Sequence, residues 1–172
     1  MRKVVRLLRF IDNANERVGR VVSYFILAII GVVIYEVAMR YILVKSQLWV
    51  PETSLFLFGT LFVLGGGYVF LHGGHVRLDA IYARFSPKVK AILDLITAIF
   101  LFLFCGVLVW KGWLTGWDSL ISLERSASAF APPLFPIKLV IPIGAGLLML
   151  QGLAKFIRDL SIVTTAGSRV EH

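Results

Sequence analysis

The chain has 172 residues, of which 58% are hydrophobic and 16% are charged. Its mean hydropathy is +0.84, and soluble domains contain only about 45–50% apolar residues. The formal net charge is +8, but no basic stripe alternates with aromatic residues, which excludes nucleic acid as the expected partner. The single cysteine, Cys105, excludes an internal disulfide framework. These features predict an integral membrane protein.

The first twenty residues have the pattern of an amphipathic helix. Apolar residues recur there at helical spacing, and most arginines fall on other parts of the helical wheel. We predict that residues 1–20 form an interfacial helix in the lipid headgroup plane. A soluble helix against a partner's loop is the alternative. A cleaved signal peptide is not expected, because no small-residue cleavage site follows the first apolar run. The periodic apolar residues are Val4, Leu7, Leu8, Ile11 and Val18.

Four further segments are apolar over the roughly 20 residues that a membrane-spanning helix needs. We expect these spans at about 21–44, 52–71, 91–113 and 137–157. The predicted fold is therefore all-α, with four transmembrane helices preceded by the interfacial helix. Residues 1–160 form one membrane domain in this interpretation. We expect a disordered tail at 161–172, whose end, "GSRVEH", has the form of an expression-tag remnant.

Basic residues are unevenly distributed between the two sides that these spans define. Most Lys and Arg lie in the N-terminal segment, in the connector between the second and third spans and at the C-terminal end. Since Lys and Arg of short loops remain in the cytoplasm, we predict a multi-pass protein with both termini cytoplasmic.

The connector "HGGHVRLD" suggests two interpretations. His72, His75 and Asp79 are spaced by three and four residues, which could hold a metal ion on one face of a helix. However, Gly73 and Gly74 disfavour a helix there. We therefore favour glycines that end the second span, followed by a short amphipathic turn, and expect no metal.

Glu36 lies within the first predicted span, where a carboxylate is a functional candidate. Arg40 is four residues further on, so that both can pair on one helix face. We favour a structural ion pair, and ion or proton coupling is the alternative. Glu52, just after Pro51, is placed to interact with the positive end of the second helix dipole.

Small residues in the second span predict close helix contacts, although the identity of the neighbouring helix stays open. These residues are Gly59, Gly65, Gly66 and Gly67. The sequence contains no nucleophile with a base at recognisable spacing and no glycine-rich phosphate loop. We therefore expect no enzyme activity, no cofactor and no catalytic or substrate-binding residue in this chain.

An ordered set of short motifs resembles the small membrane subunit of tripartite ATP-independent periplasmic (TRAP) transporters. The set consists of Arg40-Tyr41, Trp49 with Glu52, "GGGYVFLHGGHVRLD" at 65–79 and "APPLFPIKLVIPIG" at 131–144. The resemblance extends over about residues 20–158. Together with the polar positions described above, it gives the subunit-interface or structural candidates Glu36, Arg40, Trp49, Glu52, Gly65, Gly66, His75, Asp79, Pro136 and Pro142.

The resemblance implies a scaffold subunit in a bacterial inner membrane. Its partners would be a large multi-span permease with the substrate and sodium sites, a periplasmic binding protein that delivers an organic acid, and membrane lipid. Docking of the binding protein is a further implied role. The last motif points to a monocarboxylate or 2-oxo acid. The alternative is a small multidrug-type exporter that uses Glu36, although the charge bias and the length of this chain argue against it.

Overall fold

The computed structural model describes residues 2–45, 47–73, 85 and 87–167. Within these ranges the chain forms five α-helices. They are α1 (Arg2–Ser23), α2 (Phe25–Ile42), α3 (Trp49–Leu71), α4 (Pro87–Ile121) and α5 (Phe135–Gly167). Four segments are long and apolar enough to cross a membrane, namely Val5–Ile42, Trp49–Leu71, Ile92–Ile121 and Phe135–Ser161. The predicted all-α membrane fold is confirmed.

The first of these segments contains both α1 and α2, which meet at Tyr24. Its 38 residues would extend for about 57 Å at 1.5 Å per residue, almost twice the hydrocarbon core of about 30 Å. The 18 residues of α2 extend for about 27 Å and suffice for the span. α1 is therefore an additional N-terminal helix.

One face of α1 is buried against the other helices. Ile11, Asn15, Gly19 and Val22 form a buried stripe at helical spacing, and α1 contacts α2, α3 and α5. The sequence predicted an apolar face toward lipid, but Ile11 belongs to this inward stripe, whereas Leu7 is exposed. The difference arises because a polar residue, Asn15, occupies the centre of the packed face. The position of α1 in the headgroup plane stays a prediction.

The spanning helices are arranged as an open row in the order α2, α3, α5, α4. α2 packs on α3, α3 on α5, and α5 on α4. Among the described residues α2 and α4 make no comparable contact, so that the row does not close into a ring. Few apolar side chains are fully buried as a result, and α2 and α4 each expose most of their surface.

Glycines bring the central helices close together. A Cβ added at Gly144 of α5 would lie 2.5 Å from the Val63 carbonyl oxygen of α3. Gly112 of α4 faces the ring of Pro142, whose Cδ would be 3.1 Å from an added Cβ. Pro142 lacks a backbone N–H, which a packed membrane helix tolerates, and its ring fills the α4–α5 contact.

Two helices extend beyond the predicted spans. α4 continues to Ile121, eight residues past the predicted end at Trp113, because "LTGWDSLI" keeps apolar residues at helical spacing. α5 continues to Gly167, through the first part of the segment for which we expected a disordered tail. Glycine is a common helix terminator, and residues 168–172 are outside the described ranges.

Candidate functional site

Glu36 is the centre of a polar group at the extracytoplasmic end of α2, as the predicted topology places it. Arg40 donates to Glu36 Oε1 from Nη2 at 2.7 Å and from Nε at 3.2 Å. The backbone N–H of Gln47 donates to Glu36 Oε2 at 3.3 Å, two residues before α3 begins. The carboxylate, only 9% exposed, thus holds the α2–α3 loop as well as the arginine. This arrangement includes the i,i+4 ion pair expected from the sequence.

A cavity of about 340 Å³ adjoins this ion pair between α2 and α3. Its walls are mostly apolar, with Val33 and Val37 on α2 and Val50 on α3, and the Glu36–Arg40 pair lies at its edge. A charged path would need polar groups that continue into the membrane. This cavity does not provide such a path, because its remaining lining is uncharged and has only the hydroxyls of Tyr41 and Ser54 beside aliphatic residues.

Glu52 connects α3 to the loop between α4 and α5. It lies in the first turn of α3, where its charge favours the helix dipole, but its carboxylate also accepts hydrogen bonds from the Ser126 and Ser128 hydroxyls. The Ser128 contact is 2.8 Å. The role expected from sequence was therefore incomplete. No local signal reveals partners that are more than seventy residues away in the chain.

The same loop is closed by a second acidic residue. Glu124 forms an ion pair with Lys138 in the first turn of α5, and its carbonyl accepts from the Leu134 N–H at 2.9 Å. The hydrogen bond from Lys138 lowers the pKa of the Glu124 carboxyl below its ordinary value. Trp49, the first residue of α3, packs against Tyr35 of α2 with the rings tilted by 34° and their centres 5.8 Å apart. The α2–α3 loop and the α4–α5 loop are thus both held by contacts at helix ends.

A buried amide pair connects α1 to α5 on the opposite side. Asn15 Nδ2 donates to Gln151 Oε1 at 2.9 Å and to the Ile11 carbonyl at 3.2 Å. Gln151 Nε2 donates to Asp12 Oδ1 at 2.9 Å, and Asp12 pairs with Arg158. Both amide side chains are 1% exposed. Sequence reasoning missed this cluster, since only a three-dimensional contact identifies the partners.

An ion pair and a histidine–carboxylate contact also lie near this cluster. Lys155 of α5 pairs with Asp94 of α4, and the imidazole of His72 lies 3.5 Å from the Glu16 carboxylate of α1. Groups of three metal-ligating side chains do not occur among the described residues. His75 and Asp79 lie outside those residues. His72 therefore has a structural neighbour in α1, and the predicted interface roles of His75 and Asp79 stay predictions.

The glycines of α3 separate into two classes. A Cβ at Gly67 would lie 2.0 Å from Asn15 Oδ1, and one at Gly59 would lie 3.4 Å from Ile137. At Gly65 and Gly66 an added Cβ would meet nothing within 4 Å. These two interface candidates therefore mediate no close contact within the described chain. Pro136, the other proline candidate, is exposed in the first turn of α5, a position that suits proline.

Lys111 lies farther from the helix ends than the predicted span implied. Its neighbour Gly112 packs against Pro142, and two residues further on Gly144 packs against Val63 of α3. Lys111 is thus level with about Val63, which lies some 21 Å along α3 from Trp49 and some 12 Å from Leu71 at 1.5 Å per residue. The predicted span 91–113 would have placed Lys111 at the outer membrane surface.

Its surroundings make this lysine unusual. Lys111 is exposed on α4, and its exposed neighbours on that side of the helix include Phe104 and Val107. The ion pairs that the described residues form do not include it. A charged residue at the centre of a spanning helix costs about 2.5–3.5 kcal/mol on insertion scales. The continuation of the apolar run beyond Trp113 was the signal that could have revealed Lys111.

A family model described as "Tripartite ATP-independent periplasmic transporters, DctQ component" matches residues 29–161 of the chain. The match begins within α2 and ends within α5 at Ser161, so that it includes the Glu36 group, the Glu52 loop, Lys111 and the amide partner Gln151. It leaves out all of α1, which ends at Ser23. Comparison with curated proteins gives no match.

Proposed function

Because the chain belongs to the DctQ component family of tripartite ATP-independent periplasmic transporters, we propose that it is the scaffold subunit of a sodium-coupled importer of organic acids. The family is a transporter component and not an enzyme family. In this proposal the chain binds a large permease, which contains the substrate and sodium sites. A periplasmic binding protein delivers the organic acid, for which a monocarboxylate or a 2-oxo acid is the proposed class.

The open row of helices is the observation that best supports a scaffold role. α2 and α4 each have one neighbouring spanning helix in the row, and both expose long apolar faces. A transport path instead requires several polar groups around a cavity at mid-depth. Among the described residues, the cavity beside Glu36 lies toward one end of the spans and has mostly aliphatic walls. These features favour a chain that supports a second membrane protein.

The exporter that would use Glu36 is not favoured. A coupling carboxylate must exchange a proton or cation during transport, whereas Glu36 accepts two hydrogen bonds from Arg40 and one from Gln47. These contacts use both carboxylate oxygens and stabilise the loop before α3. We assign Glu36 and Arg40 a structural role in the outer half of the α2–α3 pair.

We further propose that both termini lie in the cytoplasm of a bacterium and that the chain crosses its inner membrane four times. The distribution of Lys and Arg supports this orientation. It places the α4–α5 loop, which Glu52 and Glu124 hold in one conformation, on the periplasmic side. A fixed periplasmic loop is suited to contact the binding protein, and we propose docking there as a second role.

Reconstitution into liposomes tests the proposal. The purified chain alone should give no uptake of pyruvate or another radiolabelled organic acid under an inward sodium gradient. The permease, the chain and the binding protein together should give uptake above empty liposomes. As a control, the permease and the binding protein should be assayed without the chain. Uptake by the chain alone, or equal uptake with and without it, would contradict the scaffold role.

A further inference from the structure

We propose that Lys111 binds a carboxylate at mid-membrane depth on a spanning helix of the large permease, so that the outward face of α4 is part of the subunit interface. This inference rests on the proposed function, since it names the place where the partner is bound. It extends that function to a specific residue, a specific helix face and a specific chemical group.

The depth of Lys111 is the first step. The contacts Gly112–Pro142 and Gly144–Val63 place its Cα about 12 Å from the nearer end of α3 when measured along the helix. Lysines near helix ends extend to the lipid headgroups. A four-carbon stem is shorter than that distance, so that the ammonium group does not reach the level of this helix end.

The lack of an ion-pair partner among the described residues is the second step. The ammonium group forms none of the ion pairs found among the described residues. The nearest acid on the same helix, Asp118, is seven residues away, or about 10 Å along the axis. Charged groups within the hydrocarbon region pair with another charge or face a polar cavity. The partner must therefore come from another molecule.

The face around Lys111 is the third step. In the described part of the chain, α5 is the spanning helix on which α4 packs extensively, through the side that includes Cys105, Gly112 and Gly116. Lys111 lies on the exposed remainder of α4, with Val107 one turn and Phe104 two turns away. An apolar helix surface around one basic group is complementary to a partner helix with one acidic group.

A second copy of this chain is a poor occupant of the same face. A two-fold axis along the membrane normal would place the Lys111 side chains of both copies at equal depth. Like charges would then oppose one another in a medium of low dielectric constant. Asp118 lies about 10 Å from Lys111 along the helix, so the Asp118 carboxylate of one copy would not face the Lys111 ammonium group of the other. A permease helix with a carboxylate at the depth of Lys111 satisfies the charge without this repulsion.

The test compares Lys111→Met with the matched control Lys45→Met, since Lys45 is an exposed lysine in the α2–α3 loop. Each variant is co-expressed with the permease, and the complex recovered in mild detergent is quantified together with its dissociation constant. Lys111→Met should weaken association roughly three- to twentyfold, the range for polar contacts between membrane helices. Lys45→Met should leave association unchanged.

The thermal midpoint of the isolated subunit distinguishes a lost contact from misfolding, because misfolding would lower it. Lys111→Met removes a charge from an exposed apolar face, so that the thermal midpoint of the isolated chain in detergent should stay equal or rise. Charge reversal then identifies the partner. Lys111→Glu should abolish the complex. The complex should form again when one membrane-embedded Asp or Glu of the permease is changed to Lys.

The outcomes separate this inference from the proposed function. Absence of a complex between the wild-type chain and the permease would contradict the proposed function and this inference with it. A wild-type complex that Lys111→Met leaves unchanged would overturn only the role of Lys111. Two further results would also overturn it: dimers of the isolated chain that require Lys111, or a loss of association in Lys111→Met and Lys111→Glu that no acidic residue of the permease reverses.

Discussion

Replacement of Gly144 by alanine tests the packing that sets the α3–α5 distance. The added Cβ would lie 2.5 Å from both the carbonyl oxygen and Cγ1 of Val63. The valine side chain can rotate, but its carbonyl belongs to the α3 backbone, so the helices must separate by about 1 Å to reach normal van der Waals distance. Overpacking of this kind costs about 1–3 kcal/mol, and a backbone obstacle favours the upper end.

Gly146 is the matched control on the same helix. An alanine Cβ there would meet nothing within 4 Å, and alanine is the better helix former by about 1 kcal/mol. In reversible unfolding of the isolated chain in detergent, Gly146→Ala should be neutral or stabilising. Gly144→Ala should be less stable than Gly146→Ala by about 2–3 kcal/mol, because the gain in helix propensity is common to both variants and only the overpacking differs. Equal stabilities of the two variants would refute the close approach of α3 and α5.

Three other predictions concern the two ends of the helices. Asn15→Ala leaves the buried Gln151 amide without its donor and should reduce unfolding free energy by about 1–3 kcal/mol, whereas the exposed Asn13→Ala should have little effect. The lowered pKa of Glu124 means that its ion pair with Lys138 stabilises the fold above the ordinary glutamate pKa, and this stability is lost as the pH falls through the lowered value. Lys138→Met should therefore reduce the difference in melting temperature between about pH 6 and about pH 3. In a Cys105→Ala background, an impermeant thiol reagent should label Ser122→Cys in intact spheroplasts but not Ser86→Cys, and the reverse pattern would overturn the orientation.

Local sequence patterns predicted the features that depend on neighbouring residues. The four spans were predictable because hydrocarbon thickness sets the length of an apolar run. The Glu36–Arg40 pair was predictable because residues four apart lie on one helix face. The amphipathic pattern of the first twenty residues predicted α1, although the polar Asn15 lies at the centre of its buried stripe.

Contacts between distant segments were not predictable from a single sequence. Nothing in the local pattern relates Glu52 to Ser126 or Asn15 to Gln151, since each pair forms only after the helices pack. The order α2, α3, α5, α4 was not predictable for the same reason. The depth of Lys111 was missed for another reason. The polar residues near the end of α4 lower the hydropathy, and the predicted span ended too early.

The central claim, that this chain binds a large permease as its supporting subunit, is tested most directly by native mass spectrometry of gently solubilised membranes. The chain should leave the detergent micelle as part of a one-to-one complex whose mass is that of the permease plus the 19.2 kDa subunit. Stronger collisional activation should release the intact subunit from this complex. Detection of the chain only as a monomer or as homo-oligomers, in membranes that contain the permease, would contradict the account.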